Sequence, residues 1–267
     1  MSDLVVPRQK PDAEGAVHRI TPDSAGWGYV GFDVYMLKQG QTLSRETGDR
    51  EACVVLITGK ANIRTRDQGW DNLGGRMDIF EKTPSTSVYV PNGDRYEVEA
   101  LTDVELAVGN APGKGTHKAR LIPPEKVGVM DRGSGNMYRL VHNILPEAEP
   151  ADSLLMVEVF TPAGNWSTYP PHKHDRDDLP NEAYLEETYY HRIKPAKGFA
   201  FQRVYERNDS PEGVMTVHDG DVVLVPRGYH VCAAAPGYEL YYMNVMAGPK
   251  RTWKFCNDPT HNWLAWS

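Results

Sequence analysis

Cysteine is scarce in this chain. Its three thiols, Cys53, Cys232 and Cys256, are odd in number and never fall in a C-x-x-C spacing. A disulfide framework is therefore excluded, and idle thiols in a reducing cytoplasm are the expectation. Long apolar runs are also missing. The longest, such as Ala52-Cys-Val-Val-Leu-Ile57, are of strand length and far too short to span a bilayer. The opening residues, Met1-Ser-Asp-Leu-Val-Val-Pro-Arg-Gln-Lys10, lack the basic and apolar segments of a signal peptide. There is no excess of positive charge. With 29 Lys+Arg against 36 Asp+Glu the net is -7, which argues against nucleic acid or an anionic membrane as partner. A small acidic ligand stays open, since it needs only one or two local basic side chains. No dinucleotide or phosphate-loop motif is present, and no well-capped apolar stripe runs at helical spacing.

Glycine and proline are plentiful instead, at 24 and 20 of 267 residues, above the roughly 12% that the pair averages. They separate short runs rich in Val, Tyr, Phe and Ile. Candidate strands are Tyr29–Lys38, Ala52–Thr58, Ser87–Val90, Val104–Val108, Leu154–Phe160, Thr188–Ile193, Phe199–Tyr205, Asp221–Val225 and Leu240–Met246. Turn signals such as Pro91-Asn-Gly93 and Asp219-Gly220 bound many of them, so an all-β sandwich or barrel is expected. A faint internal repeat divides the chain. Glu51, Pro91 and Glu105 in the first half match Glu187, Pro226 and Glu239 in the second, at intervals of 40 and 14 against 39 and 13. Two β domains of one type follow, 1–125 and 126–267, with the Gly-, Pro- and charge-rich stretch from about Ala111 to Ser153 as their connection.

Tyr169-Pro-Pro-His172-Lys-His174 sets two imidazoles two positions apart, on one face of an extended strand, where both can reach one metal ion. Alone the pair is weak, since histidines also occur on solvated strands. Two features strengthen it. Gly220-Asp-Val-Val-Leu-Val-Pro226-Arg-Gly228-Tyr-His230 is a short apolar strand entering a turn that presents a third histidine. Between them Glu186-Glu187 opens a β-prone run, and these two glutamates point to opposite strand faces. This order is similar to the two motifs of the cupin family, whose double-sheet barrels hold a divalent metal. The resemblance implies His172, His174, Glu187 and His230 as ligands. The interval between His174 and Glu187 is longer than in that motif, so Glu186 and, more remotely, Glu182 stay open. Three imidazoles and a carboxylate suit Zn, Mn, Fe, Co or Ni, and ligand type does not choose among them; zinc is the expectation that the resemblance implies. In the first half Arg95 stands where His230 stands in the second, and no H-x-H precedes Glu51, so that barrel is expected to lack metal ligands.

Longer strings narrow the resemblance: Tyr169-Pro-Pro-His-Lys-His-Asp175, Tyr184-Leu-Glu-Glu-Thr-Tyr-Tyr-His-Arg192, Gly198-Phe-Ala-Phe-Gln-Arg-Val-Tyr205, Tyr241-Tyr-Met-Asn-Val-Met-Ala-Gly-Pro249 and Asn257-Asp-Pro-Thr-His-Asn-Trp263. Over essentially the full length the chain resembles the 5-deoxy-glucuronate isomerase family of inositol catabolism, a bicupin group related to the 4-deoxy-threo-hexosulose-uronate isomerases. The resemblance implies an aldose-ketose isomerisation of 5-deoxy-glucuronate to 5-dehydro-2-deoxy-gluconate through an enediolate, assisted by the metal. Glu187, Tyr189 and His191 share a strand face and are the candidates for proton transfer, with an ordinary buried histidine the competing view of His191. The substrate carboxylate calls for a basic partner among Arg203, Arg192 and Lys197, Arg203 being preferred. Tyr229, Tyr169 and Trp166 flank the histidines as pocket walls or as core. The competing functions are a cupin Fe(II) oxygenase and a non-catalytic sugar-acid binding module. A homo-oligomer is a further expectation, and His117, His142, His218 and His261 receive no role.

Overall fold

The computed structural model describes residues 4–206 and 213–266. Its regular structure is almost entirely β, with helix confined to Pro22–Ala25 and a few 3-10 turns. Every strand expected from the apolar runs is present, with ends displaced by a few residues. Several strands that the sequence hid are half-buried ones. Arg95–Ala100 alternates exposed and buried residue by residue, and Thr42–Glu46 and Lys60–Arg64 carry similarly broken patterns. Central strands such as Leu155–Thr161 are buried on both faces, so they read as continuous apolar runs. The stretch from Ala111 to Ser153 is more than a connection, because it contains the strands Arg120–Ile122, Gly128–Arg132 and Arg139–Leu145. The first two close the edges of their sheets, where short, charged strands are tolerated. Among the described residues no helix is long and apolar enough to cross a membrane.

The chain forms two compact units, and a single cut between 125 and 126 does not describe them. One contains the chain up to Arg8, Val129–His142 and Val157 onward; the other contains Gln9–Gly128 and Asn143–Met156. Each is a pair of antiparallel sheets around one apolar core. In the N-terminal unit, residues from both sheets, among them Tyr35, Val54, Leu106, Ile63 and Val98, pack into that core. In the C-terminal unit Val157, Tyr189, Val204, Val217 and Cys232 do the same.

The strand orders reproduce the repeat. Thr86–Val90, Arg50–Thr58, Val104–Pro112, Gly31–Leu37 and Ala16–Ile20 lie side by side in one unit. Val222–Val225, Glu186–Lys194, Glu239–Ala247, Leu155–Thr161 and Arg139–Leu145 lie in the same order in the other. The short Val5–Val6 strand then pairs with Val222–Val223 at the edge of the second set.

The repeat nonetheless misleads at its first residue. In Arg50–Thr58 the core takes Ala52, Val54 and Leu56, so Glu51 faces away from it. In Glu186–Lys194 the core takes Tyr189 and Ile193, so Glu187 faces inward. With a side-chain period of two, an offset of one residue exchanges the faces. Glu51 is fully buried and accepts from the Tyr89 hydroxyl and the Asp152, Ser153 and Leu154 amides at 2.6–2.7 Å. Four donors on two oxygens match an ionised carboxylate, which only accepts. Burial and the Glu51 charge push the Tyr89 phenol upward in pKa. Glu51 thus acts as a backbone clasp. Replacing Glu51 with Ala strands these donors and is expected to cost on the order of 3–5 kcal/mol. Glu51→Gln, which turns one acceptor into a donor, should lose less. Urea unfolding of the two variants checks the order.

Candidate metal centre

His172 lies on the strand Trp166–Lys173, and His174 follows just past its end. This strand is not regular. Ser167 is opposite Cys232 and His172 is opposite His230, so five residues advance on one side against two on the other. Thr168 takes a positive φ of 58° within this bulge. The result sets the His172 ring 4.7 Å from that of His230. Beyond the bulge the alternation resumes. His172 and His174 face one way, while Lys173 reaches the other side to Asp175 and Glu182. His230 belongs to Tyr229–Ala234 and is delivered by the Pro226-Arg-Gly228 turn. Gly228 has φ 95°, and a Cβ there would meet the Tyr205 carbonyl at 2.9 Å, so only glycine fits.

Glu187 comes from the facing sheet, on a strand held between Val222–Val225 and Glu239–Ala247. Its Oε2 lies 3.0 Å from His174 Nε2 and 3.1 Å from His230 Nε2. Ligand nitrogens of His172, His174 and His230 lie within 4.8 Å of one another. Glu187, His174 and His230 are buried, and His172 is partly open. The ring hydrogens follow from the neighbours. His174 Nδ1 is 2.9 Å from the Leu185 carbonyl, and His230 Nδ1 is 3.0 Å from the Gly228 carbonyl. A carbonyl only accepts, so each Nδ1 donates and each Nε2 of a neutral ring presents a lone pair. Those lone pairs meet a carboxylate oxygen. The contact is repulsive unless a proton or a cation stands among them, so the donor set fits a divalent metal.

Charges in the site follow the same geometry. Where a proton takes that place it sits on imidazole Nε2: burial favours a protonated Glu187, but the hydrogen bonds then donated by His174 and His230 prevail and hold it at about 2. Burial opposes charge on His174, and the bond to Glu187 outweighs this and raises it. Burial, then the neighbouring His230 and His174, press His172 well below the usual imidazole range. Glu186, on the other strand face, is buried with its carboxylate 3.5 Å from the Tyr184 hydroxyl. Glu182 is occupied by Lys173 and by the Asp175 and Arg176 amides. Of the three glutamates, Glu187 is the one in described contact with the histidines.

Two adjoining hollows open at His172. A narrow recess of about 40 Å³ is lined by Glu187, Tyr189, Thr168, Tyr242 and Asn244, and a wider mouth of about 240 Å³ by Tyr169, Phe255 and Asn257. Arg132, Arg139 and His172 border both. Tyr189 keeps its proton, since burial and then the Glu187 charge raise it well above the phenol range. His191 stacks on Tyr189 with ring centres 5.9 Å apart and bonds Gln202 at 2.8 Å, but it does not line either hollow. Burial lowers it to about 4, so it is neutral. The basic residues expected at the site lie elsewhere. Arg192 pairs with Asp219 at 2.8 Å, Arg203 covers the Tyr205 ring at 3.8 Å, and Lys197 is exposed. Tyr229 lines a different hollow of about 380 Å³ with Lys173, Asp175 and Arg227. Trp166 is partly exposed and packs on Tyr169. Sequence reasoning missed Arg132 and Arg139, which sit in the supposed connection. Tyr242 and Asn244 were inside a string noted for its resemblance, and their alternate spacing was the available signal.

The sequence model of the KduI/IolB family matches residues 4–264. A protein of Geobacillus kaustophilus (strain HTA426), named 5-deoxy-glucuronate isomerase, is 65% identical over 264 residues, covering 99% of this chain and 96% of its own. The crystal structure of an IolB-like protein from Salmonella typhimurium LT2 superimposes with a TM-score of 0.96 at 47% identity, covering 99% of this chain and all of that one (100%). Oxalate decarboxylase from Lactobacillus farciminis aligns with a TM-score of 0.66 at 13% identity over 100% of this chain and 91% of that one, a likeness of fold alone and of the cupin type. A match that runs through the histidine strand, the central glutamate and the tail, at this identity, settles descent: the chain belongs to the KduI/IolB family.

Proposed function

We propose that this chain is a metal-dependent aldose-ketose isomerase that interconverts 5-deoxy-glucuronate and 5-dehydro-2-deoxy-gluconate in inositol catabolism. The observation that carries this is the convergence of three imidazoles and one carboxylate beside a recess that His172 and Glu187 line together with tyrosines and guanidinium groups. Full-length relatives named for that activity support it. His172, His174, Glu187 and His230 would hold the ion, zinc by preference, with manganese, iron, cobalt or nickel compatible with the same donors. When bound, the metal supplies Lewis-acid stabilisation of the negative charge that develops as the substrate loses its C2 proton. The chain's own groups divide the remaining work. Glu187 is an ionised carboxylate on the recess wall and can take a proton. Tyr189 beside it is a protonated phenol and can return one. His191 is one ring further back and orients Tyr189 by stacking. The same reading takes a small sugar acid as partner in the cytoplasm and leaves room for a homo-oligomer.

Metal analysis after dialysis tests the first part. His230→Ala should retain metal far more weakly than the parent, beyond the roughly 10–100-fold that loss of an outer-shell partner costs, with its circular dichroism unchanged. Full metal content in that variant would remove His230 from the site. Chemistry is tested by incubating the metal-loaded protein with 5-deoxy-glucuronate in D2O and following both sugars by NMR. Ketose should form with deuterium entering from solvent, and Tyr189→Phe should slow it by about 10²–10⁴-fold. Saturable binding with an unchanged spectrum would make this a sensor, and consumption of dioxygen would make it an oxygenase.

A further inference from the structure

Arg132 and Arg139 are two cations placed where charge repulsion works against them. They lie on Gly128–Arg132 and Arg139–Leu145, adjacent strands at one edge of the C-terminal unit's larger sheet. Both border the recess and its mouth, as does His172. Among the described residues neither has a carboxylate partner. Arg139 donates to the Met137 and Tyr169 carbonyls at 3.0 and 3.1 Å. Arg132 has only the Met130 sulfur at 3.4 Å and the Trp253 ring at 5.9 Å. Several other arginines behave differently. Arg19, Arg45, Arg64, Arg66, Arg192 and Arg227 all have acidic partners. Partial burial, then the charge of Arg139, disfavours the charged state of Arg132. Two half-buried guanidinium groups facing one hollow without an anion form a prepared anion site.

We infer that Arg132 and Arg139 form the anchor for the substrate's carboxylate, and that they set the preference for a uronic acid over the corresponding neutral sugar. The inference rests on the isomerase reading for the identity of the acid, but the anion site stands on its own geometry. In a six-carbon aldose acid the reacting carbons and the carboxylate occupy opposite ends of the chain. A carboxylate held at the mouth by guanidinium forks therefore leaves the carbonyl end to enter the recess towards Glu187 and the histidines. Arg139 also bonds the carbonyl of Tyr169, three residues before His172, so the anchor and the ligand strand share a support. Arg132 makes no such structural bond and is the cleaner position to change.

The test uses the metal-loaded protein and a matched pair of probes, D-glucuronate and D-glucose, which differ at C6 by the carboxylate. Each is measured as a competitor of isomerisation, or directly by calorimetry should no isomerisation occur. Loss of the isomerase reading thereby leaves the anion site still on trial. The parent should favour glucuronate. Arg132→Gln should reduce that preference by about 10-fold or more, and Arg132→Gln with Arg139→Gln should abolish it, since charge-assisted bonds are the strong ones. KM for the deoxyuronate should rise with kcat less affected, and metal content should match the parent. Should the double variant fail to fold, Arg132→Gln and Arg132→Lys alone decide: Lys should restore part of the preference as a point charge without the fork. An unchanged ratio of glucuronate to glucose binding in Arg132→Gln overturns the inference, as does a parent that binds the two sugars equally.

Discussion

The shared contact of the Glu187 carboxylate with His174 and His230 is the interaction around which the C-terminal unit is organised. It joins two sheets that also meet through apolar side chains and through hydrogen bonds such as His191 to Gln202 and Ser167 to Tyr242, because Glu187 comes from one and the histidines from the other. Three lone-pair nitrogens and an anionic oxygen in a dry interior are not self-consistent without added positive charge. The protein holds them in place with backbone carbonyls at Leu185 and Gly228, which fix both ring tautomers. A site organised in this way is ready for a cation before one arrives.

Sheet parity decides which of two similar units has this chemistry. Both carry a glutamate near the start of a central strand, followed by a proline turn. In one unit the glutamate faces the core and meets imidazoles. In the other it faces away and clasps three backbone amides and a phenol. No change in composition is needed to divert the carboxylate, since one position along a strand suffices. The cost of burying Glu51 is offset by four donors, so it needs no ligand.

Charge around the recess is distributed unevenly. Acidic partners take up several arginines, including Arg192, which from sequence was a contender for the substrate. Arg132 and Arg139 are left without such partners at the opening. Glu187 is ionised and Tyr189 beside it is protonated, so a proton acceptor and a proton donor stand together in the recess. Arg132 and Arg139 border both the recess and the wider hollow, whereas Glu187 lines the recess alone.

The sequence alone determined the strand-rich architecture, its duplication, and the three histidines that the fold brings together. These depend on local facts: apolar runs of strand length, an i, i+2 pair, and a Pro-x-Gly turn ending at His230. It also favoured Glu187 over Glu186 and Glu182, but only through resemblance, since the long interval after His174 hid which strand face looked inward. The tertiary structure resolved that geometry by pairing Glu186–Lys194 between two neighbours. It alone brought Arg132 and Arg139 to the recess, from a segment whose glycines and charges look like linker. It alone separated Arg203, Arg192 and Lys197 from the hollows, although they are close to the motifs in sequence. Nearness along a chain fixes a side chain's face within one strand, whereas which strands border a cavity depends on sheet order, a long-range property that no local pattern encodes.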